Sequence, residues 1–279
     1  MRYRPMGASA AVVSAISLNL APDPGRRHPS QWVAFIHAAL EQGVSAFEVG
    51  AEDPAIIDGL SQALSAVDRR LVFIAWRLSA GGGRRDVSPE GLRRQVEAAI
   101  ARAGLDYLDA VMLDEPMADA LSEDGFAVLK DVQARGAVHL LGLCGEGDRV
   151  DGHIGSGRFD ILTTDFSLAS GWRERGRLRA AGRRGMSVVG RRPWPRGSIA
   201  DRAIGALLDG VDGWTAQELC VAYALAEAAL ASVQIEATSV GELRRLASLA
   251  ERAAPQILAA RLERAQLAPV REAELARPA

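Results

Sequence analysis

The sequence predicts a single (β/α)₈ barrel, and three observations carry that prediction. Eight short apolar runs recur along 279 residues, segments with helical spacing separate them, and no composition shift or long linker divides the chain. A barrel of this class takes roughly 250 residues, so the length suits one. The competing open, doubly wound sheet calls for GxGxxG after its first strand; NLAPDPGRR stands there instead and cannot cradle a pyrophosphate in that way.

The eight runs are AISLNL (15–20), AFEVG (46–50), LVFIAW (71–76), DAVMLD (109–114), HLLGLC (139–144), DILTTDF (160–166), MSVVG (186–190) and ASVQIEA (231–237). Between the first two, SQWVAFIHAALEQG (30–43) has helical spacing, with Ser30 as N-cap and Gly43 as stop. SPEGLRRQVEAAIARAG (88–104) follows the same grammar: a serine cap, proline at N1, glutamate at N2 and glycine after the end. The arginine-rich WRERGRLRAAGRR (172–184) reads as a solvated helix after the sixth strand, without the interleaved aromatics of a nucleic-acid surface. The Ala/Arg/Glu-rich segment 252–279 reads as a helix lying on the barrel and a frayed tail, within one domain spanning 1–279.

Composition narrows the function. With 48% apolar residues and a net charge of −2, neither disorder nor generic polyanion binding is expected. Lys130 is the only lysine, so almost no amine is available as a base or Schiff-base nucleophile. Cys144 and Cys220 are far apart, which fits a reduced cytoplasm and no disulfide framework. His28, His37, His139 and His153 show no HxH or HExxH pattern, so no metal site is assigned. No apolar run approaches the ~20 residues of a membrane span, and the expectation is a soluble cytoplasmic protein with no membrane insertion.

The stretch LDAVMLDEPM (108–117) runs an apolar strand straight into Asp114 and Glu115. In a barrel, acids at the C-terminal end of a strand face the mouth, where active sites form. Glu48, Glu52, Asp53, Asp114 and Glu115 together offer the oxygen ligands of a magnesium-dependent hydrolase or lyase, although their spacing follows no metal motif. Cys144 reads as a buried small residue, and Trp76 and Trp194 as pocket walls.

The order and wording of these segments resemble the aldo-keto reductase family. MRYRPMGASAAVVSAISLNL is similar to its N-terminal β-hairpin and first strand, and DVSPEGLRRQVEAAIARAGLDYLDAVMLDEP to its block with a Gly-x-Asp-Tyr-x-Asp turn. HLLGLCG, FDILTTDFSLASGW and GMSVVGRRPW resemble its fifth, sixth and seventh strands, and WTAQELCVAYALAEAALASVQIEATSVGELRRLA its last helix–strand–helix. The resemblance implies the same barrel and a reduction site in which a tyrosine gives a proton to a carbonyl while hydride arrives from a nicotinamide.

Carried over by position, the family's aspartate falls on Glu48, its tyrosine near Asp53, its lysine on Arg77 and its histidine on Asp114. All four have changed. Glu48 and Arg77 keep an acid–base pair, but arginine tunes a phenol poorly and no tyrosine stands near Asp53. Asp114 in place of histidine repels an oxygen gaining negative charge. The resemblance therefore implies a catalytically degenerate member; an active oxidoreductase would need a reassigned acid, Asp53 or Asp114.

For the cofactor, the positions implied are Cys144, Thr163, Arg191, Arg192 and Trp194, and after the last strand Thr238, Ser239 and Arg245. The family's 2′-phosphate arginine falls near Ser239, which favours NAD(H) over NADP(H). The altered site and the arginine-rich, lysine-poor composition resemble those of an oxidoreductase-like regulator of bacterial cell division. That likeness implies two protein partners: the tubulin-like division protein FtsZ and a cell-cycle histidine kinase.

Overall fold

Alternation along the strands decides the architecture. The structure is a computed structural model describing residues 1–6, 11–78, 86–194, 213–253 and 255. Two short strands, β1 (Tyr3–Pro5) and β2 (Val12–Ser14), form an antiparallel hairpin. The eight apolar runs then become β3 (Ile16–Leu20), β4 (Ala46–Val49), β5 (Phe73–Arg77), β6 (Leu108–Asp114), β7 (Val138–Cys144), β8 (Ile161–Asp165), β9 (Ser187–Arg191) and β10 (Leu230–Ile235). These pair in parallel in chain order, and β10 returns to β3 with Val233 opposite Ile16, so the sheet closes without an edge.

One set of alternating residues fills the barrel. Ala46, Phe73, Ala75, Ala110, Met112 and Ile161 pack inside, with Met6 and Val13 of the hairpin closing the floor. Gly142 on β7 is required there, since a Cβ would collide with the Met112 thioether. The other set, including Leu18, Phe47, Ile74, Val111 and Leu143, packs outward against the helices. Trp76 belongs to this outer layer and is 1% exposed, so it is no pocket wall: its neighbours Ala75 and Arg77 take the inward positions.

The helices are α1 (Pro29–Glu41), α2 (Pro54–Leu64), α3 (Pro89–Ala103), α4 (Glu115–Ala120), α5 (Glu123–Ala134), α6 (Asp148–Ser156), α7 (Trp172–Arg183), α8 (Ala216–Ala226) and α9 (Val240–Ser248). The cap of the first lies two residues before the serine expected there. His28 is the N-cap, because Pro29 suits N1 and Gln31 Oε1 accepts from the His28 amide at 3.0 Å. In α3 the expected grammar holds: Ser88 Oγ accepts from Gly91 N at 3.1 Å, and Gly104 ends the helix at φ 63°.

The GLDYLD turn lies at the N-terminal end of β6, away from the mouth. Asp109 Oδ2 accepts from Arg69 Nη2 at 2.6 Å and from Ile74 N at 2.8 Å, while Tyr107 stacks on His139 and beneath Arg69. That block ties strands together at the barrel's stability face. The expected C-terminal helix over 252–279 lies, but for 252, 253 and 255, outside the described residues. Among the described residues no helix is long and apolar enough to cross a membrane.

Candidate active site at the barrel mouth

Because inward positions repeat every second residue, each strand delivers one polar side chain to the mouth. Glu48 is the last inward residue of β4, 4% exposed, and Arg77 ends β5; Arg77 Nη2 donates to Glu48 Oε1, and Gln234 Nε2 of β10 donates to Glu48 Oε2 at 2.8 Å. Burial favours discharge of the Arg77 guanidinium, but Glu48 outweighs it and holds the cation above the ordinary arginine value.

A second charge cluster faces the first. Arg191 ends β9 and donates from Nε to Asp165 Oδ1 at 2.6 Å and from Nη1 to Cys144 Sγ at 3.0 Å. Arg192, whose φ of 49° is the left-handed value rarely taken by a side-chain-bearing residue, donates to Asp165 Oδ2 at 3.0 Å. Burial raises Asp165, yet its bonds with Glu146, Arg191 and Arg192 win and hold it below the usual carboxylate range. Glu146 is shifted upward, first by its bond with Asp165 and then by burial. Burial and Glu48 push the Cys144 thiol up to about 11, so this cysteine is not a thiolate nucleophile.

Between the clusters lies a cavity of about 390 Å³, walled by Asn19, Arg77, Arg191, Arg192, Trp194 and Gln234 among others. Two buried polar atoms of that wall, Asn19 Oδ1 and Arg77 Nε, have no hydrogen-bond partner. One accepts and the other donates. The opposite amide nitrogen of Asn19 donates to Glu236 Oε1 at 2.9 Å, which fixes the orientation of its oxygen.

The sequence-derived positions divide into three groups. Arg77, Arg191, Arg192 and Trp194 meet at the cavity. Glu48, Cys144 and Thr163 lie beneath it, Thr163 1% exposed beside a smaller void of about 20 Å³ inside the barrel. Asp53 and Asp114 are helix caps: Asp53 Oδ1 accepts from Ala55 N at 2.8 Å, and Asp114 Oδ1 from Met117 N at 2.9 Å. Neither lines the cavity, and one oxygen of each serves a helix-start amide, so the reassigned-acid reading of both has no support at the cavity.

The magnesium grouping also comes apart. Glu52 pairs with Arg102 at 3.0 Å, Glu115 Oε2 accepts from Gly147 N at 3.2 Å, and among the described residues no three acids, histidines or cysteines are placed to hold a metal.

After β10, Ser239 caps α9 by accepting from Glu242 N at 3.1 Å. The Glu242 carboxylate folds back onto the same turn: Oε2 accepts from Thr238 N and Thr238 Oγ1 at 2.8 Å each, and Oε1 from Gln217 at 2.7 Å. Arg245 stays exposed beside it. Burial raises Glu242, but these bonds hold it below the ordinary carboxylate value. The chain thus seats its own anion at this helix start.

Asn19, Gln217, Gln234 and Glu236 line the cavity but were not singled out from sequence. A signal existed for two of them: Ser17 and Asn19 alternate with Leu18 and Leu20, and Ser232 and Gln234 with Val233 and Ile235, so each strand carries one polar face. For Gln217, on a helix, no local pattern marks it.

Comparison with known proteins places this geometry. Residues 19–151, a little under half of the chain, match the model of the Aldo/keto reductase family. An NADH-specific methylglyoxal reductase of Escherichia coli is 27% identical over 89 residues, which span 30% of this chain and only 27% of that protein. The holo form of an aldo-keto reductase from Bacillus halodurans superimposes with a TM-score of 0.80 at 16% identity, covering 95% of this chain and 96% of that one. Its apo form gives 0.76 over the same shares. The chain therefore has the aldo-keto reductase fold, and through residues 19–151 it carries that family's sequence pattern.

Proposed function

We propose that this chain is a catalytically degenerate aldo-keto reductase homologue that binds NAD(H) at the barrel mouth and acts through protein partners. One observation carries the loss of chemistry. All three tyrosines, the only lysine and all four histidines lie in described residues, and none of them lines the cavity. Tyr107 and His139 stack together at the far end of the barrel, Tyr223 is held by Arg175, and Lys130 sits on the outer helix α5. A carbonyl being reduced needs a proton donor at the oxygen, and these groups are elsewhere.

The residues present fit a nicotinamide. A carboxamide offers a donor and an acceptor, which the amide side chains of Asn19 and Gln217 in the cavity lining can answer, and the Arg191 guanidinium is planar enough to lie against a ring. When bound, the cofactor supplies hydride chemistry. What the chain's own residues contribute is orientation and a fixed electrostatic frame, with the ion pairs to Glu48 and Asp165 keeping Arg77 and Arg191 in place. The Glu242 carboxylate at the start of α9 opposes a 2′-phosphate, which supports NAD(H) over NADP(H).

The partner-dependent reading follows the likeness to KidO, an oxidoreductase-like regulator of bacterial cell division. By that likeness the partners are FtsZ and a cell-cycle histidine kinase, and the place of action is the cytoplasm. The test is co-sedimentation with polymerised FtsZ, with and without NADH. Cofactor-dependent pelleting is the expected result; pelleting that NADH leaves unchanged and that matches an unrelated barrel sinks the partner assignment.

One observation favours a second reading, an active oxidoreductase with Glu146 as proton donor. Glu146 hydrogen-bonds with Asp165, is shifted upward by it, and stands 3.9 Å from Arg192 at the cavity wall. In that case NADH oxidation with methylglyoxal, the substrate named for the E. coli relative, collapses in Glu146→Gln.

A further inference from the structure

Helix α7 carries a surface that neither the barrel nor the mouth uses. Its inner face is settled: Leu178 and Ala181 are buried, and Arg177, 6% exposed, donates from Nε to Asp151 at 2.8 Å and from Nη2 to the Gly147 carbonyl at 3.2 Å. At 100° per residue, Trp172, Gly176, Arg179 and Arg183 fall on one line on the opposite side. Trp172 is 77% exposed, the most exposed of the large apolar side chains among the described residues.

The two arginines of this stripe are exposed. Many of the chain's arginines are answered by its own acids, among them Arg69 by Asp109, Arg77 by Glu48, Arg94 by Asp86, Arg102 by Glu52 and Arg149 by Asp119, whereas Arg2, Arg27, Arg184, Arg245 and Arg252 are exposed without such a pair. Even within α7, Arg175 pairs with Glu227 and Arg177 with Asp151. Among the described residues Arg179 and Arg183 lie against no carboxylate, although both are exposed. Among the described residues, what sets Arg179 and Arg183 apart from the other unanswered arginines is that they share one helix line with the exposed Trp172.

Gly176 supplies a separate sign. A Cβ added there would meet nothing within 4 Å, and its φ is not in the left-handed region, so the fold does not require glycine, as it does not at Gly152, Gly155 or Gly182; of these four only Gly176 lies on the line of Trp172, Arg179 and Arg183. In a helix interior glycine is disfavoured relative to alanine. Its effect at the middle of an exposed stripe is to let another backbone come close.

We propose that the Trp172–Gly176–Arg179–Arg183 face of α7 docks an acidic amphipathic helix of a partner protein. The spacing, four then three then four residues, is that of a two-helix seam, and the stripe spans about 16 Å, or three turns. Carboxylates on the partner answer Arg179 and Arg183, an apolar side chain covers Trp172, and the backbones approach at Gly176. Trp and Arg are the residues that most often anchor interfaces. The inference deepens the partner-dependent part of the proposed function, yet it stands on α7 alone and is independent of the mouth.

The test uses the full chain and a fluorescein-labelled helical peptide with Glu at two seam positions and Leu at the position facing Trp172, read by anisotropy. Expected is saturable binding that weakens about tenfold or more in Arg179→Glu/Arg183→Glu and in Trp172→Ala. Gly176→Ala is the decisive variant, expected to raise Tm while weakening the peptide, which a merely structural glycine would not do. NADH titration of the same variants stays at the wild-type value, so failure here is separable from failure of the cofactor reading. No binding, or binding that Arg179→Glu/Arg183→Glu leaves unchanged, overturns the proposal. So does equal, arginine-dependent binding of a single-stranded oligonucleotide or of anionic lipid vesicles.

Discussion

Replacing Arg77 with methionine isolates what the Glu48–Arg77 pair does. Glu48 is 4% exposed, and its two oxygens are held by Arg77 and by Gln234 at 2.8 Å. Arg77→Met leaves a buried carboxylate answered only by an amide, a change that costs about 3–5 kcal/mol in comparable buried pairs. Glu48→Leu strands the Arg77 cation, whose side chain is 23% exposed, and costs a similar amount. In Glu48→Leu/Arg77→Met no charge is stranded, and the remaining loss is the Gln234 amide without its acceptor, about 1–3 kcal/mol. The double-mutant cycle therefore gives a coupling energy of about 3 kcal/mol or more, measured by urea unfolding followed by circular dichroism. A coupling below about 1 kcal/mol would put the pair among screened surface bridges and refute its role in holding the mouth.

Three further outcomes are expected. Asp53→Ala and Asp114→Ala each lose a helix N-cap, costing about 0.5–2 kcal/mol in urea unfolding while NADH affinity is unchanged; a selective loss of NADH binding would return them to the site. Glu242→Ala removes the anion at the start of α9 and narrows the preference for NADH over NADPH in fluorescence titrations, whereas an unaltered ratio disconnects that helix from the cofactor. Cys144 is raised from 9.0 to about 11 and Cys220 from 9.0 to about 12, so the folded state holds both thiol protons after the unfolded chain has lost them. Stability is full below about 9 and falls as pH rises through about 11, and Cys144→Ala lessens the slope of the urea midpoint against pH.

The barrel was legible because its strands repeat one physical signal, a short apolar run followed by a helical segment. Boundaries fell within a residue or two, as at DAVMLD against Leu108–Asp114. The start of α1 was misread because a serine two residues inside the helix looks like a cap, while the fixed φ of Pro29 makes His28 the true one. The site was harder. Asp114 and Glu115 looked like acids delivered to a mouth, yet the chain turns at once into α4, a six-residue helix with no periodic signal, and the acid nearest the strand becomes its cap. Trp76 was misplaced for a related reason: composition says that it is buried, and only strand parity says on which side. Glu242 escaped notice because its partners, Thr238 and Gln217, come from separate elements.

On the proposed function, the mouth binds NADH without turning it over. The most direct measurement follows NADH absorbance with the protein in excess, first alone and then with methylglyoxal and a panel of other carbonyls, alongside a fluorescence titration of NADH. Saturable NADH binding is expected, with oxidation no faster than in the protein-free control. Protein-dependent oxidation that saturates with any carbonyl, and that Glu146→Gln abolishes, would contradict the proposed function.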